Sequence, residues 1–135
     1  MNSAVLIVDD DVNAQIIIET LLRLRGLAVR VTTDPADAAN IIAGGAVGVV
    51  VVDLNMPGMN GFEGLRRLRA AAGGLAVPPR ILVMTDRRAP EVERFSQRIG
   101  ADAVLHKPMD PGRLITTVER LLSTVDPPAT QAGWC

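Results

Sequence analysis

Tyrosine is missing from this chain, and histidine, lysine, cysteine and tryptophan each occur once. Each shortage removes a class of function. A lone cysteine, Cys135, leaves no internal disulfide and no multi-cysteine metal site, and this usage fits a reducing compartment. The lone histidine, His106, cannot hold zinc without other ligands, and on a short strand it is expected as a packed core residue. Aromatic residues are 2% of the sequence, too few for the platforms that stack on unpaired bases. The net charge of -1 gives no general pull on nucleic acid or anionic lipid, so direct nucleic-acid binding is not expected. Also missing are the P-loop pattern and a G-x-G-x-x-G after a strand, without which nucleotide functions lack their phosphate cradle. No apolar run approaches the roughly 18 residues of a membrane span. The first one, Ala4–Val8, follows no basic segment and is too short for a signal peptide. A cytoplasmic protein, with no membrane association, is expected.

What is present is ordinary globular composition, with 48% hydrophobic residues in a chain of 135, sufficient for one self-supporting core. Five short apolar runs, most of them rich in β-branched residues, lie at Ala4–Val8, Ala28–Val31, Val47–Val52, Ile81–Met84 and Ala103–Leu105. Runs without polar alternation suit strands covered on both faces of a parallel sheet. Helical spacing separates them. Over Val12–Arg25 the stripe is read as Ile17, Leu21 and Leu24, with Gly26 as the stop. Asp34-Pro35 starts the second helix with a cap and a proline at its first position, and Gly44-Gly45 ends it. Phe62–Ala72 sets Leu65 and Leu68 opposite Arg66, Arg67 and Arg69. Pro90–Ile99 is a weaker helix, and the last, from Asp110-Pro111, carries Leu114, Ile115, Val118, Leu121, Leu122 and Val125 on one stripe. Strict alternation of strand and helix predicts an α/β fold with right-handed crossovers and a doubly wound parallel sheet. The domain is expected over residues 1–125, and 126–135, which lose periodicity, as a flexible tail or the start of a linker.

Function is signalled by what ends the strands. Asp9-Asp10-Asp11, Asp53, Thr85-Asp86 and His106-Lys107-Pro108 follow strands one, three, four and five. In an open α/β sheet, ligands bind beyond the carboxyl ends of the strands, where strand order reverses. Three crowded carboxylates repel one another, and a hard divalent cation such as Mg2+ relieves that repulsion. The alternative is that Asp9–Asp11 cap the first helix, although a cap needs one carboxylate, best supplied by Asp11. Lys107 is the only lysine among 14 basic residues, a compact charge suited to phosphate. Lys107-Pro108 reads either as a cis peptide or as a plain strand-to-helix turn. Gly58 and Gly61 mark a tight turn, in which Met56 and Met59 are expected to pack.

The run Leu6-Ile-Val-Asp-Asp-Asp11, the run Asp53-Leu-Asn-Met-Pro-Gly-Met-Asn-Gly61, Met84-Thr85 and Lys107-Pro108 together resemble the receiver domain of bacterial two-component response regulators. The resemblance covers about residues 3–124. It implies a five-stranded flavodoxin-like sheet of order 2-1-3-4-5, and a domain that switches conformation to signal to a partner or output domain. It also implies that Asp53 accepts a phosphoryl group from a histidine kinase or phosphotransfer protein. Asp10, Asp53 and the backbone carbonyl of Asn55 would hold Mg2+, with Asp9 acting through water, and Thr85 and Lys107 would contact the phosphoryl oxygens. A homodimer or output-domain face would lie on helix four, strand five and helix five, made basic by Arg87, Arg88, Arg94 and Arg98. Three positions depart from the family's usual pattern: Val104 where an aromatic is common, Asp86 where a small residue is common, and His106 for an apolar one. Such a domain catalyses only its own phosphorylation and dephosphorylation. Two alternatives are a receiver fold that binds without phosphorylation and a small Mg2+-dependent phosphohydrolase. The latter would want an acid at position 55, where this chain has asparagine.

Overall fold

Ten elements alternate along the described residues: β1 (Ala4–Val8), α1 (Val12–Leu24), β2 (Val29–Thr32), α2 (Pro35–Ala43), β3 (Val47–Asp53), α3 (Gly61–Ala72), β4 (Arg80–Thr85), α4 (Pro90–Ile99), β5 (Ala103–His106) and α5 (Pro111–Ser123). The computed structural model describes residues 3–55 and 61–123. Met56, Gly58, Met59, Val125 and the 126–135 segment lie outside the described residues.

The expected starts are built as their chemistry requires. The Asp11 carboxylate accepts the N–H groups of Asn13 and Ala14 at 3.0 and 3.3 Å, capping α1. Asp34 accepts from Ala36 at 2.9 Å, and Pro35 begins α2. Gly26 follows α1 at φ +79°, a conformation a side chain would resist. At Gly61, which opens α3, an added Cβ would stand 2.2 Å from the Leu54 carbonyl oxygen, so α3 can abut the end of β3 only without a side chain there.

All strands are parallel in the order β2-β1-β3-β4-β5, the expected topology, with β2 and β5 at the edges. The two-residue pleat divides the core. Leu6, Val8, Val50, Val52, Ile81 and Val83 face α2 and α3, with Ala38, Ile42, Leu65 and Leu68. Val5, Ile7, Val49, Val51, Leu82 and Met84 face α1 and α5, with Ile18, Leu22, Leu114 and Val118. Because both faces are covered, β3 is buried at all seven positions and needs no polar alternation.

Helix α1 departs from the expectation. Its buried residues are Gln15, Ile18 and Leu22, whereas Ile17 is 54% and Leu24 78% exposed; Leu21 packs at the margin. The helix is apolar over much of its circumference, so spacing alone did not select the core side. The buried side carries Ile18 and Leu22, and Gln15 can join it because its amide finds backbone acceptors inside. Strand β2 runs one residue later than expected, and β3, β4 and β5 extend to include Asp53, Thr85 and His106. In α5, Leu114, Val118 and Leu121 are buried, with Ile115 and Leu122 partly so. No helix among the described residues is long and apolar enough to cross a membrane.

Candidate functional site

Register brings the acids together. Strand β1 pairs Val8 with Val52 of β3, so the next residues, Asp9 and Asp53, emerge side by side. Both share parity with the residues on the α1/α5 side of the sheet, Val5 and Ile7 for one and Val49 and Val51 for the other. Asp9 and Asp53 are buried and Asp10 is exposed, and one carboxylate oxygen from each lies within 4.8 Å of the other two. The order of strands reverses between β1 and β3, so the cluster sits at the switch point of the sheet.

Lys107 reaches this cluster from the far side of β4. Its ammonium donates to Asp53 Oδ2 at 2.9 Å, while Asp53 Oδ1 accepts the Asn55 N–H at 2.9 Å. The Lys107-Pro108 peptide is cis. Thr85 is fully buried, and its hydroxyl accepts the Arg87 N–H at 3.0 Å. The Asn55 side chain is held elsewhere, its Oδ1 accepting from the Asp86 N–H at 3.1 Å. Thus Asp9, Asp10, Asp53 and Lys107 converge, and Thr85 and Asn55 anchor the loop that borders them. His106, expected in the core, is half-buried because it ends the edge strand.

The electrostatics follow from this packing. Burial pushes the Asp9 carboxyl up to about 6; the Asp11 N–H opposes the shift, the charge of Asp53 adds to it, and Lys107 partly offsets it. Burial lowers the affinity of Lys107 for its proton, but the hydrogen bond and charge of Asp53, with Asp9 and Asp86 behind it, outweigh this and hold the ammonium above its usual range. Two buried acids are therefore served by one cation. The donor set is all oxygen, with no nitrogen or sulfur among the three groups, which fits a hard divalent ion. The two Asp53 oxygens are held separately, Oδ1 by the Asn55 N–H and Oδ2 by the Lys107 ammonium.

One contributor was not singled out from the sequence. Gln15, buried on α1, donates through Nε2 to the carbonyls of Asp9 at 2.6 Å and Thr32 at 2.8 Å. It pins the turn carrying Asp9 and Asp10 to the end of β2. Its signal was a polar residue three before Ile18 and seven before Leu22, inside an apolar helix.

A family model described as response regulator receiver domain matches residues 5–119. The chain belongs to this family, the receiver domain of two-component response regulators. Among curated relatives, protein PetR of Rhodobacter capsulatus is 33% identical over 128 residues, covering 95% of this chain and 52% of that protein. The sensory/regulatory protein RpfC of Xanthomonas campestris pv. campestris is 31% identical over 128 residues, covering 94% and 18%. The chain therefore spans about half, or less, of the length of these relatives. Among solved structures, the receiver domain of Francisella response regulator 1452 matches with a TM-score of 0.81 at 26% identity, over 93% of this chain and 100% of that one. A CheY-like receiver domain protein of Methanospirillum hungatei shares the fold, with a TM-score of 0.81 at 24% identity over 93% and 97%.

Proposed function

We propose that Asp53 is the phosphoacceptor of this receiver domain, and the observation that carries the reading is its placement between the Lys107 ammonium at 2.9 Å and the carboxylates of Asp9 and Asp10. An Asp53 carboxylate oxygen attacks the phosphorus of a phosphohistidine, forming the O–P bond of an aspartyl phosphate as the N–P bond breaks and imidazole leaves. Asp10, Asp53 and the Asn55 carbonyl would hold Mg2+, with Asp9 acting through water; the ion would neutralise charge on the transferred phosphoryl group. Lys107 orients Asp53 before transfer and offers its ammonium to a phosphoryl oxygen afterwards. The Thr85 hydroxyl, now an acceptor for Arg87, would turn its own proton to a second oxygen. Because Thr85 Oγ1 can keep accepting from Arg87, in the loop before α4, while it donates, a shift of the hydroxyl toward the phosphoryl group would be passed to that loop.

The donor is a sensor histidine kinase or phosphotransfer protein. It would approach along the apolar groove of about 210 Å³ that includes Ile17, Ile18, Met84 and Met109 and ends on Asp9 and Lys107. The domain would work in the cytoplasm and signal through the face of α4, β5 and α5. It acts as a switch and not as a turnover enzyme: Asn55 stands where a phosphohydrolase would need an acid, and its side-chain oxygen is occupied by Asp86. Incubation with acetyl phosphate and Mg2+, followed by intact mass, should add one phosphoryl group to the native chain and none to Asp53→Asn. Unchanged labelling of Asp53→Asn overturns the assignment, and no labelling of the native chain favours a binding module without phosphorylation.

A further inference from the structure

Edge strand β2 and the flank of α1 beside it form a surface that the acid cluster does not use. Six large apolar side chains are exposed among the described residues, and three of them, Val12, Ile16 and Val31, belong to this edge. Val12 and Ile16 share one helical stripe with Glu19 and Arg23. That stripe lies toward the edge, because Arg23 donates through Nη2 to the Val29 carbonyl at 2.8 Å and through Nε to Glu19 at 2.9 Å. Val31 pairs with Ile7 and shares parity with Val29, so its side chain stands on the α1 side of the sheet. Ile17, in the groove that ends on Asp9 and Lys107, belongs to a different flank of the helix.

The backbone of β2 is used on one side only. The Val5 and Asp9 N–H groups of the β1 segment donate to the carbonyls of Ala28 and Thr32, so strand alternation turns the N–H and C=O of Val29 and Val31 outward. Arg23 caps the Val29 carbonyl, which leaves Val31 as the open position. Arg30, on the α2 side of the strand, is exposed and has no hydrogen-bond or ion-pair partner among the described residues, although Asp37 lines the same hollow.

We propose that this edge is the contact of a weak symmetric dimer, in which β2 of a second copy lies antiparallel with Val31 on the twofold axis. Such an axis needs a self-complementary surface, and this one is. Val31 exchanges both of its outward backbone hydrogen bonds with its counterpart. On the α1 side, Val12, Ile16 and Val31 of the two copies come together and leave water. On the α2 side, Arg30 stands opposite Thr32 of the second copy and one step from its Asp34, a counter-charge that Arg30 lacks within its own chain. The Arg23 cap keeps the pairing from running further along β2. Three apolar side chains per copy cover little area, so the dissociation constant should lie near about 0.1 mM.

The test uses the unphosphorylated full chain in chelator, with a reductant to keep Cys135 from forming a disulfide. It does not depend on whether Asp53 takes phosphate. Sedimentation velocity from about 5 µM to about 1 mM should follow a monomer–dimer equilibrium. Ile16→Glu should raise the dissociation constant about tenfold, and so should Val31→Pro, which removes the outward N–H at an edge position where proline is tolerated. Arg30→Gln should raise it about threefold. Ile17→Glu and Leu24→Glu, exposed on other flanks of α1, should leave it unchanged. Hydrogen exchange at the Val31 N–H should slow as the concentration rises. A chain that stays monomeric at the highest concentration overturns the proposal, as does a dimer that Ile17→Glu or Leu24→Glu weakens as much as Ile16→Glu. Val31 exchange that is independent of concentration overturns the strand pairing, and with it the proposal.

Discussion

Lys107 Nζ and Asp53 Oδ2, 2.9 Å apart, join the ends of β5 and β3 across the intervening strand β4. Asp53 is buried and the Lys107 side chain is 30% exposed, so the pair is shielded on the acid's side and reached by water on the other. That asymmetry leaves the Lys107 ammonium open to a charged group from solvent while the carboxylate it holds stays enclosed.

Removing the cation should cost more in chemistry than in folding. Lys107→Met is expected to slow phosphorylation by acetyl phosphate about 100-fold, the usual size for deleting one donor that meets developing charge. The circular dichroism spectrum should stay native. A rate within a few-fold of the native chain would remove Lys107 from the reaction.

Stability should depend on pH through Asp9. Its pKa is about 6 in the fold against 3.8 in the free side chain. The folded chain therefore holds its proton longer than the unfolded one, and the stabilisation is complete below about pH 4 and lost as pH rises through 6. The linked change is about 3 kcal/mol. Urea unfolding in chelator should show this fall from pH 4 to 7, Asp9→Asn should flatten it, and Mg2+ should restore stability at pH 7. A flat native profile contradicts the burial argument.

Gln15→Leu keeps the volume and removes the donor shared by the carbonyls of Asp9 and Thr32. Leaving the buried Asp9 carbonyl without its donor, while the Thr32 carbonyl keeps the Asp9 N–H, should cost about 1–3 kcal/mol in urea unfolding. Mg2+ affinity should fall with it, because the turn carrying Asp9 and Asp10 loses its tether. Stability lost with unchanged Mg2+ affinity would make Gln15 a core residue alone.

Asp86 is exposed, yet its charge acts on Lys107. A negatively charged donor meets it on the way in. Asp86→Ala should speed labelling by acetyl phosphate about two- to fivefold at low ionic strength, and the gain should fade near 0.5 M salt, where the screening length is about 4 Å. An unchanged or slower rate at low salt would show that this carboxylate does not face the approach.

Much of this was determined by the sequence alone. Doubly covered strands need unbroken β-branched runs, capped helices need Asp11 and Asp34, and polar chemistry placed at the carboxyl ends of the strands makes Asp9, Asp10, Asp53, Thr85 and Lys107 visible in order. Local stereochemistry and the parity of a pleat are properties of short segments, so they can be read without coordinates. The tertiary structure decided what segments cannot. It set Gln15, Ile18 and Leu22, rather than Ile17 and Leu24, on the buried side of α1, where the Gln15 amide meets two strand-end carbonyls, a choice that apolar spacing on a helix with apolar residues on more than one side leaves open. It put the Arg88 guanidinium on the Lys107 carbonyl, a relation between residues 19 apart in the chain that only the packing of the loop before α4 against the end of β5 creates.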